Sequence, residues 1–398
     1  MLPLPIMEHL KAQIKELAAK YSKDNIGNRR HLHANPELSY QEFETAKFVE
    51  ARLTEYGITR FERKADTGVI AIIEGKNPQS KTIALRGDMD ALPIHENTNL
   101  EFSSKLDGVM HACGHDIHIC VGLGVAQLIK DYKLHFGTRI LFQPAEEIAC
   151  GAQWMIDDGA TQNLKKIIGV HVFPELPVGK IGIKEGSLTA AAGELSVDIK
   201  GKSGHGARPY EGIDAIWVAS KVISGIQEAI TRQLDPLDPL VVTFGRINGG
   251  KAYNILAEKV NLLGTVRCTN VVLFENIGGW LNKIISDLCE ACGAECDVKF
   301  KKITPPVNNN LEINRVIRQS AIELFGNDNV IELQKPSMGA EDFAEFLNHV
   351  PGSMFRLGVS KSREFSPLHS SEFNPDEEAI RIAVKLITET IIKLNEKK

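Results

Sequence analysis

Short apolar runs that alternate with helix-length segments constrain this chain more than any other feature. Gly68 to Ile73 and Thr82 to Leu85 read as strands; a helix from about Ile117 to Tyr132, the strand Thr138 to Gln143, a helix near Ala152 to Asp158 and the strand Ile167 to Val172 continue the series. Strands separated by helices are expected to lie parallel, so an α/β fold with a mostly parallel, doubly wound sheet follows. Upstream, Ser39-Tyr40-Gln41-Glu42 has the form of a capping box and predicts a helix to about Tyr56.

The rhythm changes near Leu188. Glu194 to Gly201 reads as a strand, Ile213 to Arg232 as a helix, Leu240 to Ile247 and Glu258 to Arg267 as strands, Phe274 to Cys292 as a helix and Cys296 to Lys301 as a strand. That β-α-β-β-α-β order is the ferredoxin-like pattern. After Pro305-Pro306 the first kind of segment returns. The expectation is a discontinuous main domain, residues 1–187 and 303–398, carrying an inserted α+β domain at 188–302.

With 398 residues, 43% of them hydrophobic, the chain is long enough for two cores. A formal net charge of -5 and no Lys/Arg-rich block argue against nucleic acid or an anionic membrane as the main partner. No window has the apolar length of a membrane span, and Met1-Leu2-Pro3-Leu4-Pro5-Ile6-Met7 lacks the basic start and apolar core of a secretory signal. Seven cysteines without a signal read as reduced thiols in a cytoplasmic protein. Cys289 and Cys292 fall on the apolar face of a predicted helix, with no second pair or His to complete a metal site, and read as core thiols.

The chemistry concentrates in Met110-His111-Ala112-Cys113-Gly114-His115-Asp116-Ile117-His118, one thiol and three imidazoles in nine residues. Cys113 and His115 are one residue apart, so both side chains can reach one ion in an extended or irregular segment. A single Cys or His is usually a packing residue, but here a second element carries matching chemistry. The apolar run Thr138 to Gln143 ends in Pro144-Ala145-Glu146-Glu147, and the carboxyl ends of strands are where open α/β sheets bind ligands. Adjacent glutamates point different ways, so one can ligate metal while the other moves protons. Thiolate, imidazole and carboxylate together suit zinc, and manganese, cobalt or nickel remain open.

The strings Arg30-His31-Leu32-His33-Ala34-Asn35-Pro36-Glu37-Leu38-Ser39, Arg86 to Pro93, Cys113-Gly114-His115-Asp116, Gln143 to Glu147, His205-Gly206-Ala207-Arg208-Pro209 and Gly339-Ala340-Glu341-Asp342-Phe343 resemble the M20 metallopeptidase family, in particular its amidohydrolase branch of hippurate hydrolases, N-acyl-amino-acid amidohydrolases, auxin-conjugate hydrolases and N-acetyl-diaminopimelate deacetylases. The motifs stand in order along nearly the whole chain. The resemblance implies two divalent metal ions (Zn, Mn, Co or Ni) held by Cys113 as a bridge with His115, Glu147, His171 and His369. It makes Glu146 the general base towards a metal-activated water, and Asp90 an orienting carboxylate behind the site. It assigns His205 to the oxyanion, in this family often from a partner subunit, Asn254 and Arg267 to the substrate carboxylate, and Gly339 to close backbone approach. The inserted domain becomes a lid and dimerisation module, and the protein a homodimer.

Three departures bear on substrate preference. Ile117 and Ile119 stand where small or hydroxyl residues are usual, Tyr210 replaces a frequent His, and Asn254-Ile255-Leu256-Ala257 lacks the usual proline. None removes a ligand or the base. The expected activity is hydrolysis of the amide of an N-acyl-amino acid or small related conjugate. A dipeptidase acting on a free amino terminus is the alternative within the family. A metal-binding protein without turnover is disfavoured, because a pure binder needs no second carboxylate at Glu146.

Overall fold

Between Thr82 and Pro177 strand and helix alternate as the apolar runs require. The computed structural model describes residues 4–77, 80–132, 134–362 and 364–396, so Met1, Leu2 and Pro3 of the terminal segment considered above lie outside it. The order is α1 (Leu4–Ala34), α2 (Phe43–Glu55), β1 (Phe61–Lys64), β2 (Gly68–Ile73), β3 (Thr82–Asp88), α3 (His115–Ile129), β4 (Thr138–Gln143), α4 (Gly151–Asp157), β5 (Leu164–Pro177), β6 (Ile181–Ile183) and β7 (Gly186–Ser187). A second unit, Thr189–Pro306 with Pro336–Glu341, follows. It holds β8 (Ala191–Lys200), α5 (Ala215–Gln233), β9 (Leu240–Gly249), β10 (Lys259–Cys268), α6 (Val271–Ala291) and β11 (Glu295–Thr304). The first unit resumes with β12 (Asn308–Asn309), α7 (Leu311–Phe325), β13 (Val330–Glu332), α8 (Phe343–Leu347), β14 (Gly352–Ser360) and α9 (Glu378–Glu396).

The first unit is built on one sheet, β1-β2-β4-β3-β5-β14-β6-β13. Its centre is parallel: β4 and β5 flank β3, and β14 flanks β5. Among the described residues, antiparallel pairing in this sheet is confined to β1 with β2, β2 with β4, and β14 with β6. Helix α3 packs between this sheet and α1 and α9. Every residue of α3 is buried, which explains why, beyond the polar first turn His115-Asp116-Ile117-His118 and apart from Gln127, its sequence is apolar all round rather than on one stripe.

The second unit is a four-stranded antiparallel sheet of order β11-β8-β10-β9, the ferredoxin-like arrangement, with α5 and α6 packed on a separate core. Asp214 and Asn270 cap the two helices by accepting from the N–H groups of Ile216 and Leu273. Cys289 is fully buried in this core and Cys292 packs against it, as the thiol reading required.

One local expectation fails. The helix expected from the Ser39–Glu42 capping box starts at Phe43, and neither side chain caps it. The Ser39 hydroxyl donates to Asp90 (2.7 Å), and the buried Glu42 accepts from Ala145 N–H and Thr67 Oγ1. Buried tertiary partners outbid the local cap.

Between α1 and α3 lies a buried charge network. His33 sits between two carboxylates, Nδ1 at 2.9 Å from Asp116 and Nε2 at 3.1 Å from Glu96, while Arg29 Nε donates to Asp116 at 2.9 Å. Burial opposes charging of His33, but the hydrogen bonds to Asp116 and Glu96 prevail and raise its pKa above 6.5. A raised folded-state pKa stabilises the protein fully below the unfolded value and is lost as pH climbs through the folded one. Melting temperature is therefore expected to fall as pH rises above about 6.5. His33→Ala should flatten that dependence and cost about 3 kcal/mol at pH 6, the scale of breaking a buried ion pair. Melting curves from pH 6 to 9 check this, and identical slopes for both proteins would remove His33 from the explanation.

Candidate metal centre

The parallel strands deliver the site from their carboxyl ends. Asp90 follows β3, Glu146 and Glu147 follow β4, and His171 lies on β5 two residues beyond Gly169, which pairs with Arg86 of β3. Cys113 and His115 reach the same place because the chain turns sharply between them. Gly114 has φ +82, and a Cβ there would lie 2.6 Å from Val172 Cγ2, so only glycine fits this turn into α3. His369 also adopts a left-handed conformation, φ +63, and its N–H donates to Ala112 O at 2.9 Å.

Ligand atoms of Cys113, His115 and His171 fall within 4.8 Å of one another, and so do those of Cys113, Glu147 and His369 and those of His115, Glu146 and Glu147. Cys113 is common to two of these groups. Its Sγ is 3.6 Å from His171 Nε2, and His369 Nε2 is 3.5 Å from Glu147 Oε1. Cys113, His115, His171 and Glu146 are buried; Glu147 is partly buried and His369 exposed.

Hydrogen bonding sets which ring nitrogen each histidine offers. Nδ1 of His115 is 2.8 Å from Asp90 O, and Nδ1 of His171 is 2.8 Å from Val172 O. A carbonyl only accepts, so Nδ1 carries a proton in both rings and Nε2 is the nitrogen left to ligate an ion. His118, a third candidate from the sequence, is used differently. Its Nε2 accepts from Val172 N–H (3.0 Å), so its Nδ1–H donates to Asp88 at 2.5 Å. Both nitrogens are engaged, and His118 supports the site from behind with Asp88, which Arg86 also contacts.

The donor set fits divalent metal. His115 Nε2 and Glu147 Oε1 are buried without a hydrogen-bond partner among the described residues, a cost that a cation removes. Burial and the neighbouring Glu147 push the Cys113 thiol well above its usual pKa, and a bound cation reverses that balance. Burial alone would lower His115, but the Asp88 carboxylate, 3.6 Å from its Nε2, holds it well above the usual imidazole value, so a cation binding at Nε2 displaces a proton there.

Asp90 organises the cluster without belonging to any of these ligand groups. Its Oδ1 accepts from Glu146 N–H (3.1 Å), its Oδ2 from Glu147 N–H (2.9 Å) and the Ser39 hydroxyl, and its backbone carbonyl accepts from His115. One carboxylate thus fixes the turn that carries both glutamates and orients a histidine. Sequence reading took His118 for a possible ligand and Ser39 and Glu42 for a helix cap, and gave Asp88 no separate role; the partners that set their actual places are distant in the chain.

The remaining predicted residues lie in the second unit. His205 is exposed and pairs with Ile255 in an isolated bridge, and Gly206 N–H donates to Asn254 O at 2.8 Å, so the structure brings the His205 turn and Asn254 together. Arg267, on β10, donates to Thr265 Oγ1 and Val266 O, and its burial lowers the guanidinium pKa. Gly339 is exposed, with one side-chain atom, Ser337 Oγ at 3.9 Å, near a built Cβ.

Fold and donor chemistry together define a metal-dependent hydrolase, and comparison with known proteins agrees. Residues 84–393 match the model of Peptidase family M20/M25/M40. A probable hydrolase of Synechocystis is 44% identical over 376 residues, covering 94% of this chain and 96% of the relative. The N-acetyl-L-cysteine deacetylase of Bacillus subtilis is 38% identical over 374 residues, 94% of this chain and 88% of the relative. Among solved structures, the Bacillus subtilis YXEP protein, described as a dinuclear metal binding peptidase from the M20 family, superposes with a TM-score of 0.84 at 33% identity, covering 96% of this chain and all of that one. The chain belongs to the M20 family, and is a metal-dependent amidohydrolase.

Proposed function

We propose that the protein hydrolyses the amide bond of N-acyl-amino acids or small related conjugates, with Glu146 as general base and Cys113, His115, Glu147, His171 and His369 as the ligands of two divalent ions. The observation that carries the reading is the Asp90 clamp, which sends two neighbouring carboxylates from one buried turn into a cluster of thiol and imidazole donors. The Bacillus subtilis deacetylase supports the substrate class. Bound metal would polarise the scissile carbonyl and acidify water at the site. Glu146 takes the proton from the attacking water and delivers it to the leaving amine nitrogen. His205 donates to the developing oxyanion, Asn254 and Arg267 hold the substrate carboxylate, and Gly339 lets the backbone approach the substrate.

Zinc, manganese, cobalt and nickel all suit this mixed donor set. The second unit serves as lid and dimerisation module. β9 stands at an edge of its sheet and exposes Val241 and Ile247, and α5 exposes Ile216 and Trp217, surfaces that a second copy of this chain would cover in a homodimer. All seven cysteines are free, in keeping with a reducing cytoplasm.

A turnover screen of the metal-reconstituted protein tests the substrate class. Acetyl-, benzoyl- and indoleacetyl-amino acids are expected to be cleaved well ahead of dipeptides with a free amino terminus. Their carboxamide analogues should be about tenfold or more poorer for want of the charge-assisted contact. Faster turnover of dipeptides would favour the exopeptidase alternative, and equal efficiency on acid and amide would remove the carboxylate contact.

A further inference from the structure

The turn that presents Glu146 and Glu147 carries an uncommon backbone. Ala145 has φ +53, a left-handed conformation disfavoured for a residue with a Cβ. It is held from both sides. Its N–H donates to Glu42 Oε1 at 2.8 Å, and its carbonyl accepts from Cys150 (3.3 Å) and Gly151 (3.1 Å) N–H groups. Gly151 packs so tightly on the turn that a Cβ would lie 1.6 Å from Pro144 O. Glu42 is itself fully buried, and its second oxygen accepts from Thr67 Oγ1 at 2.8 Å. Consecutive N–H groups of the turn are therefore caught by two buried carboxylates, Ala145 by Glu42 and Glu146 and Glu147 by Asp90.

We infer that Glu42 is a positioning residue for amide hydrolysis. Through Ala145 N–H it holds the left-handed step that aims the Glu146 carboxylate, and it touches neither substrate nor metal. The inference rests on Glu146 being the base. A buried carboxylate at this place would otherwise be surplus, since α2 starts without a side-chain cap from Glu42. Its burial is tolerated because both oxygens are bonded. A misdirection of about 1 Å at a catalytic group is enough to cost about a hundredfold in rate.

Glu42→Gln preserves the arrangement, because the amide oxygen still accepts from Ala145 and the amide NH2 donates to Thr67, whose hydroxyl rotates to receive it. Glu42→Ala removes both bonds. The experiment measures kcat, KM, metal content and melting temperature of the metal-loaded wild type, Glu42→Ala, Glu42→Gln and Glu146→Gln on one N-acetyl-amino acid, well below each melting point. Glu42→Ala is expected to lose about ten- to a hundredfold in kcat with KM within about threefold and metal content unchanged, whereas Glu42→Gln stays within about threefold of wild type in kcat. If Glu42→Ala does not fold, Glu42→Asp takes its place with the same expectation, since its carboxylate is one methylene short of Ala145. Unchanged kcat in Glu42→Ala or its Asp substitute, or equal losses in the Gln variant, would overturn the positioning role while an inactive Glu146→Gln leaves the base in place. Wild-type turnover by Glu146→Gln would overturn both.

Discussion

Glu146→Gln is expected to lower kcat by about two to four orders of magnitude, the usual worth of a positioned acid-base group, while both metal ions stay bound. The change is nearly isosteric, and the backbone N–H that anchors the residue to Asp90 is untouched, so the turn keeps its shape and Glu147 its place. What disappears is basicity: a carboxamide cannot take the proton of the attacking water or return it to the leaving nitrogen. Glu146 Oε2 lies 4.0 Å from His115 Nε2, at the rim of the ligand cluster. The geometry therefore leaves two roles to tell apart. A base variant keeps its metal and loses rate, whereas a ligand variant loses both. Parallel kinetics and elemental analysis separate them, and near-normal turnover would remove Glu146 from proton transfer.

The parts of the fold that obey one local rule were legible in the sequence. Gly68–Ile73 and Thr138–Gln143 are strands at the expected residues because each is a short apolar run buried in the sheet. The ferredoxin-like order of the second unit followed from amphipathic helices alternating with strands. Helix α1 went unread because its buried positions include Asn25, Asn28, Arg29 and His33, which break the apolar period that marks a helix. Ser39 and Glu42 satisfied a capping rule and were claimed instead by partners 51 and 103 residues away. The site divides in the same way. Cys113, His115, Glu146 and Glu147 announce themselves by spacing, whereas His171 and His369 come from distant segments and carry no local signal. Only the family resemblance pointed to those two, and the fold then set their ligand atoms beside the others. His118 shows the converse: its spacing suggests a ligand, but Asp88 and Val172 occupy both nitrogens.

Cys113→Ser carries the other large expected effect. Cys113 is common to the His115/His171 group and the Glu147/His369 group, so its loss should weaken both metal positions, not one. A serine hydroxyl is a poor substitute, because a borderline ion prefers thiolate and the hydroxyl gives up its proton far less readily. Rate should fall by more than the about ten- to a hundredfold that loss of a residue merely supporting a ligand costs. His369→Ala, at the exposed end of the cluster, should lose less metal and remain well folded. The most direct measurement is the metal content per chain, by elemental analysis after exhaustive dialysis, of wild type and Cys113→Ser. The expected result is two divalent ions in the wild type and well under one in the variant. Two ions in both proteins, or none in an active wild type, would contradict a cysteine-centred dinuclear site.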